Sequence, residues 1–176
     1  TVDMGQGSDT AMAQIAAEVL GIDAGTVKVV HPDTDVTPFD MGTLGSRSTF
    51  HMGHAVRLAA QDALARLLKL AEEAAAKGEP QAHTLIGRIH ADGLGVPQDQ
   101  VVAAKWYAKA AELGDVEGAL AVGTMLVQGR GVAKDVVLGA RYLEAAAQRG
   151  NPLATYNLAL LFLAGTGKPE NPIRAF

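Results

Sequence analysis

The run GLGVPQD, Gly93 to Asp99, decides the fold, because it returns 36 residues later as GRGVAKD, Gly129 to Asp135. Outward from it the register holds: Gly87 pairs with Gly123, Trp106 with Tyr142, Ala110-Ala111 with Ala146-Ala147, and Gly114 with Gly150. A third copy starts and decays, as Gly165-Thr166-Gly167-Lys168 with Asn171 in the place of Asp135. Self-similarity at a fixed period of roughly 20–50 residues marks stacked supersecondary units.

Each unit reads as two helices and a turn. Helix A, such as Ala82 to Asp92, stops at a glycine that lets the chain turn through positive φ. The second glycine and the valine close the turn. Asp99 or Asp135 then caps helix B, which runs to Gly114 or Gly150. Gly87 and Gly123 stand inside helix A, where glycine costs about 1 kcal/mol against alanine, so close helix–helix contact is expected there. Trp106 and Tyr142, at one place in helix B, are expected to be packing residues. The third helix A, Leu153 to Ala164, is apolar nearly all round through Leu158 and Leu160-Leu161-Phe162-Leu163. A face of it is expected to lie open, for a partner or for self-association.

Counting back 36 from Trp106, Ala110, Ala111 and Gly114 lands on Leu70, Ala74, Ala75 and Gly78. These lie in the second half of TFHMGHAVRLAAQDALARLLKLAEEAAAK, Thr49 to Lys77, which reads as a single long helix with Ser48 as cap and Gly78 as stop. The same count from Gly95 and Asp99 reaches Ala59 and Ala63, where no turn is written. The repeat therefore joins a different kind of sequence at about Asp62 to Arg66, inside that helix.

The upstream part is written as α/β. Ser8 is expected to cap a helix with apolar residues Met12, Ile15, Ala16, Val19 and Leu20, stopped by Gly21. Val2 to Met4 and Thr26 to His31 (TVKVVH) read as strands, and Pro32 to Leu44 as a loop. Gly5-Gln6-Gly7 and Gly42 to Thr49 place backbone N–H groups, hydroxyls and an amide ahead of helices. That arrangement suits either capping or an anion. Neither has the glycine spacing or lysine of a nucleotide loop. Asp33, Asp35 and Asp40 lack the late glutamate of a calcium loop, and His51 with His54 lacks a third ligand, so no metal site is expected.

The 176 residues carry a net charge of −4 with both signs interspersed, and no basic stripe that would attract nucleic acid. No apolar run reaches the ~18–20 residues of a spanning helix, and no signal peptide is visible. The first residue is Thr1, and the start reads as cut from something longer. There is no cysteine, which excludes disulfides and iron–sulfur ligation by thiolates.

The G-x-G-V turns, capping aspartates, helix B aromatic and Ala-Ala…Gly endings resemble Sel1-like repeats, relatives of the tetratricopeptide class, over Leu67 to Phe176. The resemblance implies an α-solenoid that binds proteins and does no chemistry itself. It makes His83, Thr84, Arg88 and Thr124, on helix A faces, expected contacts, joined by Leu161 and Phe162 at the apolar end. The first 65 residues or so resemble another family. Val2-Asp3-Met4-Gly5-Gln6-Gly7, Met12 to Ala16, Val29 to Pro38, Met41-Gly42-Thr43 and Gly45 to Thr49 are similar to the molybdopterin-binding region of molybdenum hydroxylases of the xanthine dehydrogenase and hydroxybenzoyl-CoA reductase group. That resemblance implies cofactor contacts at Met4 and Gln6, and a pterin phosphate loop at Thr43, Ser46 and Ser48.

The expected architecture is mainly α: a short α-solenoid over residues 66–176, its first and last repeats incomplete, preceded by a small α/β segment over 1–65. The expected function is a protein-interaction scaffold with no catalytic residue, no bound cofactor and no membrane span. The alternative is a piece of a molybdopterin-dependent hydroxylase or reductase acting on aromatic or heterocyclic substrates.

Overall fold

The computed structural model describes residues 7–30 and 48–165, and its contacts divide the chain into two compact units, Thr1–Leu67 and Leu68–Phe176. In the first unit, α1 (Ser8–Leu20) buries Ser8, Met12, Ala13 and Ala17. Its cap is Gly7, in the left-handed conformation, and Ser8 is already the first helical residue. Gly21 ends the helix as expected, its N–H returning to the Ala17 carbonyl. A 3₁₀ turn follows at Ala24–Thr26, capped by the Asp23 carboxylate on Gly25 N.

Of the strand expected over Thr26 to His31, the described part is not a strand: Thr26 belongs to the 3₁₀ turn and residues 27–30 have no regular structure, while His31 lies outside the described residues. Val27 is extended, as a β-branched residue prefers, but a strand also needs a neighbour to take its N–H and C=O groups. No strand is present among the described residues to supply one. The expected strand at Val2 to Met4 and the loop at Pro32 to Leu44 lie outside the described residues, Val2 to Met4 at the N-terminus and residues 32–44 between 30 and 48. The long helix is present as a π-helical turn, Ser48–Met52, leading into α2 (Gly53–Ala76).

The second unit is built of paired helices. After the end of α2 come α3 (Pro80–Asp92), α4 (Gln100–Glu112), α5 (Val116–Gln128), α6 (Val136–Gln148) and α7 (Pro152–Leu163). Helices α3, α5 and α7 are helix A of successive repeats; α4 and α6 are helix B. Local signals account for the boundaries. Gly93 and Gly129, at φ +73°, turn the chain out of α3 and α5. Asp99 accepts from the N–H groups of Val101 and Val102, and Asp135 from that of Leu138, so each satisfies donors that the helix start leaves free.

Among the described residues, the core lies between the helices in three clusters. Ala71, Ala75, Ala82 and Ile86 pack together with the indole of Trp106 beside them. Ala91, Ala103, Tyr107, Val122 and Met125 form the middle cluster, and Leu120, Leu143, Ala146 and Ala154 the last, with Tyr142 touching both. The in-helix glycine behaves as its cost predicts: a Cβ on Gly87 would stand 2.8 Å from the Tyr107 ring, so glycine is what lets α4 approach α3. Within the first repeat Gln98 and Gln100 both donate from Nε2 to the Ala91 carbonyl at 2.7 Å. The next repeat is seated on it through the turn glycine Gly131, which rests on the Gln100 carbonyl.

Candidate functional site

The expected contact residues separate into an inner and an outer set. His83 is 1% exposed and lies inside the array. Its Nδ1 is 2.9 Å from the Glu79 carbonyl oxygen, which makes Nδ1 the protonated nitrogen, and its ring meets Trp106 at a centroid distance of 5.6 Å. Nε2 is buried without a hydrogen-bond partner. His83 thus offers a partner no surface, contrary to the expectation, because this position of helix A turns inward, as buried Ala119 does 36 residues later. Phe162 is likewise inside, at 5% exposure, at the register position of buried Leu126.

The outer set is structural in part. Thr84 donates its hydroxyl to Asp115 Oδ2 at 2.6 Å, and the same oxygen takes the Gly118 N–H at 2.8 Å to cap α5. Arg88 is exposed and pairs with Asp92 one helical turn on, at 3.6 Å. An exposed pair of this kind is worth about 0.3–0.5 kcal/mol. Thr124 is half-buried and donates back to the Leu120 carbonyl at 2.8 Å.

Thr124 and Leu161 are brought together. They line a hollow of about 200 Å³ between α5, α6 and α7, whose other walls are Val127, Gln128, Leu143, Asn157 and Leu160. Leu143, fully buried, is its floor. The lining is leucine and valine, with a hydroxyl and two amides at the edge and no charged side chain. Beside the hollow, Leu153, Tyr156 and Leu163, with Leu160 of its wall, leave α7 with an exposed apolar surface, as the sequence predicts. Sequence reasoning missed Leu143 and Val127; the usable signal is that Leu143 stands where the preceding repeat has Tyr107.

Of the expected cofactor contacts, Met4, Gln6, Thr43 and Ser46 lie outside the described residues, and Ser48 is described only as the start of the π-helical turn. The described part of the first unit has a shallow hollow of about 400 Å³ lined by Asp9, Thr10, Ala13, Gln14, Ala24, Gly25, Val27 and Val29. A carboxylate with one hydroxyl and one amide, and no basic group, does not fit the phosphate of a pterin cofactor. No group of three or more His, Cys, Asp or Glu able to hold a metal stands among the described residues. His54 instead faces Arg57 at 3.1 Å, and His51 packs on Phe50. The shallow hollow thus offers no group to hold a pterin phosphate, and no chemical step is assigned to molybdopterin. Among them, no helix is long and apolar enough to cross a membrane.

Comparison with known proteins finds both halves. The family model "Molybdopterin cofactor-binding domain" matches residues 1–160, and that of the Sel1 repeat matches residues 152–176. The chain is 44% identical over 71 residues to the carbon monoxide dehydrogenase large chain of Hydrogenophaga pseudoflava, which is 40% of this chain and 9% of that one. It is 44% identical over 59 residues to the putative xanthine dehydrogenase molybdenum-binding subunit of Escherichia coli K12, 33% of this chain and 8% of the subunit. The matched segment thus spans less than a tenth of these relatives. Among solved structures, a Sel1 repeat protein from Oxalobacter formigenes superimposes with a TM-score of 0.56 at 27% identity, over 65% of this chain and 50% of that one. The helices of the second unit are Sel1-type repeats, in agreement with the resemblance carried by Gly93 to Asp99.

Proposed function

The chain belongs to the molybdopterin cofactor-binding domain family; from its Sel1-type helices we propose that the helical unit is a protein-binding scaffold. The observation that carries this reading is the uncharged apolar hollow between α5, α6 and α7, continuous with the exposed leucines of α7. Apolar surface left open beside a formed concavity is where a protein partner gains most from burial, about 25 cal/mol per Å² removed from water. The residues that meet it are Thr124, Leu161 and their neighbours. Arg88 and Thr84 lie on α3, helix A of the earlier repeat. Self-association would use the same α7 surface.

A displayed peptide library selected on the whole chain tests the reading, with Leu161→Asp as the comparison. Peptides are expected to be retained by the wild type and lost with the charge at the rim. Equal recovery on the two proteins would sink the proposal.

The 44% identity over 71 residues to a carbon monoxide dehydrogenase large chain favours a second reading. In it the chain is a piece of a molybdopterin-dependent hydroxylase or reductase for aromatic or heterocyclic substrates, with Met4, Gln6, Thr43, Ser46 and Ser48 at the cofactor. Elemental analysis with pterin fluorescence separates the two. Stoichiometric molybdenum in the purified chain would favour the second and overturn the expectation of no bound cofactor.

A further inference from the structure

We infer that the hollow between α5, α6 and α7 receives a phenylalanine or tyrosine side chain of a partner polypeptide; this rests on the scaffold reading and adds the chemistry of the bound residue. The repeat supplies the argument. Moved back by 36, Thr124, Val127, Gln128, Leu143 and Leu161 become Arg88, Ala91, Asp92, Tyr107 and Met125. In that earlier repeat the place is filled from within: the Tyr107 ring packs with Ala91 and Met125, and Arg88 and Asp92 act on its phenol. In the later repeat the shorter Leu143 sits at the same position. A hollow of about 200 Å³ opens over it, bordered also by Asn157 and Leu160 of α7. A closed apolar cavity of about 150 Å³ is known to admit benzene, so an aromatic side chain fits.

Charge points the same way. The ionic pair that borders Tyr107, Arg88 with Asp92, is replaced around the hollow by uncharged Thr124 and Gln128. A charged occupant would lose water and find no counter-ion. An uncharged ring loses little, and Gln128 and Asn157 at the rim are placed for a phenol hydroxyl or a peptide group.

The test follows the methyl NMR signals of Val127, Leu143, Leu160 and Leu161 in the whole chain, with p-cresol as probe and n-butylammonium as the charged control. p-Cresol is expected to shift these signals saturably, and the control to leave them in place. Leu143→Tyr, which fills the hollow from inside as Tyr107 does, is expected to weaken p-cresol by at least about tenfold while keeping or raising the melting temperature. Should that variant not fold, Thr124→Arg puts a charge at the rim with the same expected loss. Binding of n-butylammonium as strong as that of p-cresol, or p-cresol binding untouched by the folded variant, overturns the inference. Peptides selected on the chain should carry a Phe or Tyr and be displaced by p-cresol. Selected peptides that lack an aromatic, or that p-cresol does not displace, overturn it while leaving the scaffold reading intact; a failure to select any peptide overturns both. Self-association blocked by p-cresol overturns it in favour of a second copy as the occupant.

Discussion

Replacing Gly131 by alanine tests whether the G-x-G-V turn is a mere chain reversal or the joint between repeats. Two costs can be separated. Gly131 has φ +70°, and an L-residue held in the left-handed region costs roughly 1–2 kcal/mol. The second cost is steric: a Cβ there would run into the Gln100 carbonyl, its carbon only 2.5 Å away. Gln100 is the first residue of α4, and backbone cannot swing aside as a side-chain tip can. Overpacking of this sort costs about 1–3 kcal/mol, which brings Gly131→Ala to roughly 2–5 kcal/mol. Gly150→Ala is the matched control, because Gly150 has φ +85° and open space around its missing Cβ. It should lose only the conformational part, roughly 1–2 kcal/mol. Thermal or guanidinium unfolding followed by far-UV circular dichroism reads the difference, at about 2–4 °C of melting temperature per kcal/mol for a chain of this length. Equal losses for the two variants would refute the claim that the turn is seated on the preceding repeat.

Other changes have expected outcomes of their own. Asp115→Ala removes one oxygen shared by the Thr84 hydroxyl and the Gly118 N–H, and should lower stability by about 1–3 kcal/mol in denaturant titrations. Asp115→Asn should recover most of that loss, since an amide oxygen accepts the same bonds. Burial raises the Tyr107 phenol above its ordinary 10.0, with Asp92 adding to the effect and Arg88 and Arg130 opposing it. Because the folded value is the higher, this stabilisation is complete below about pH 10 and is lost as pH rises through the folded value. Melting temperatures from pH 9 to 11.5 should therefore fall less steeply in Tyr107→Phe than in the wild type, and parallel curves would contradict the burial argument.

The helical half was legible because its signals are local. Glycine at a fixed distance from a capping aspartate specifies where a helix ends and the next begins, whatever surrounds it, and Gly93, Asp99, Gly129 and Asp135 all do so. The strand over Thr26 to His31 was misread because β-branched residues state a preference that only a neighbouring strand can satisfy. The candidate site was half legible. Thr124 and Leu161 lie on one groove, but His83 and Phe162 were assigned to surfaces from residue type, while their register partners Ala119 and Leu126 mark both positions as interior. The floor at Leu143 is visible only by comparing one repeat with the next, since leucine at a buried position looks unremarkable alone.

The place of α5 in the array has a kinetic side. It packs against α3, α4, α6 and α7, whereas α7 is held among the described residues by α5 and α6. In a linear stack, opening spreads from the less-bordered units, so amide protons of α7 should exchange with solvent well before those of α5. The hollow thus joins the helix expected to open last to one expected to open early. Whatever occupies it works as a clasp, and its grip would register first as slowed exchange along α7.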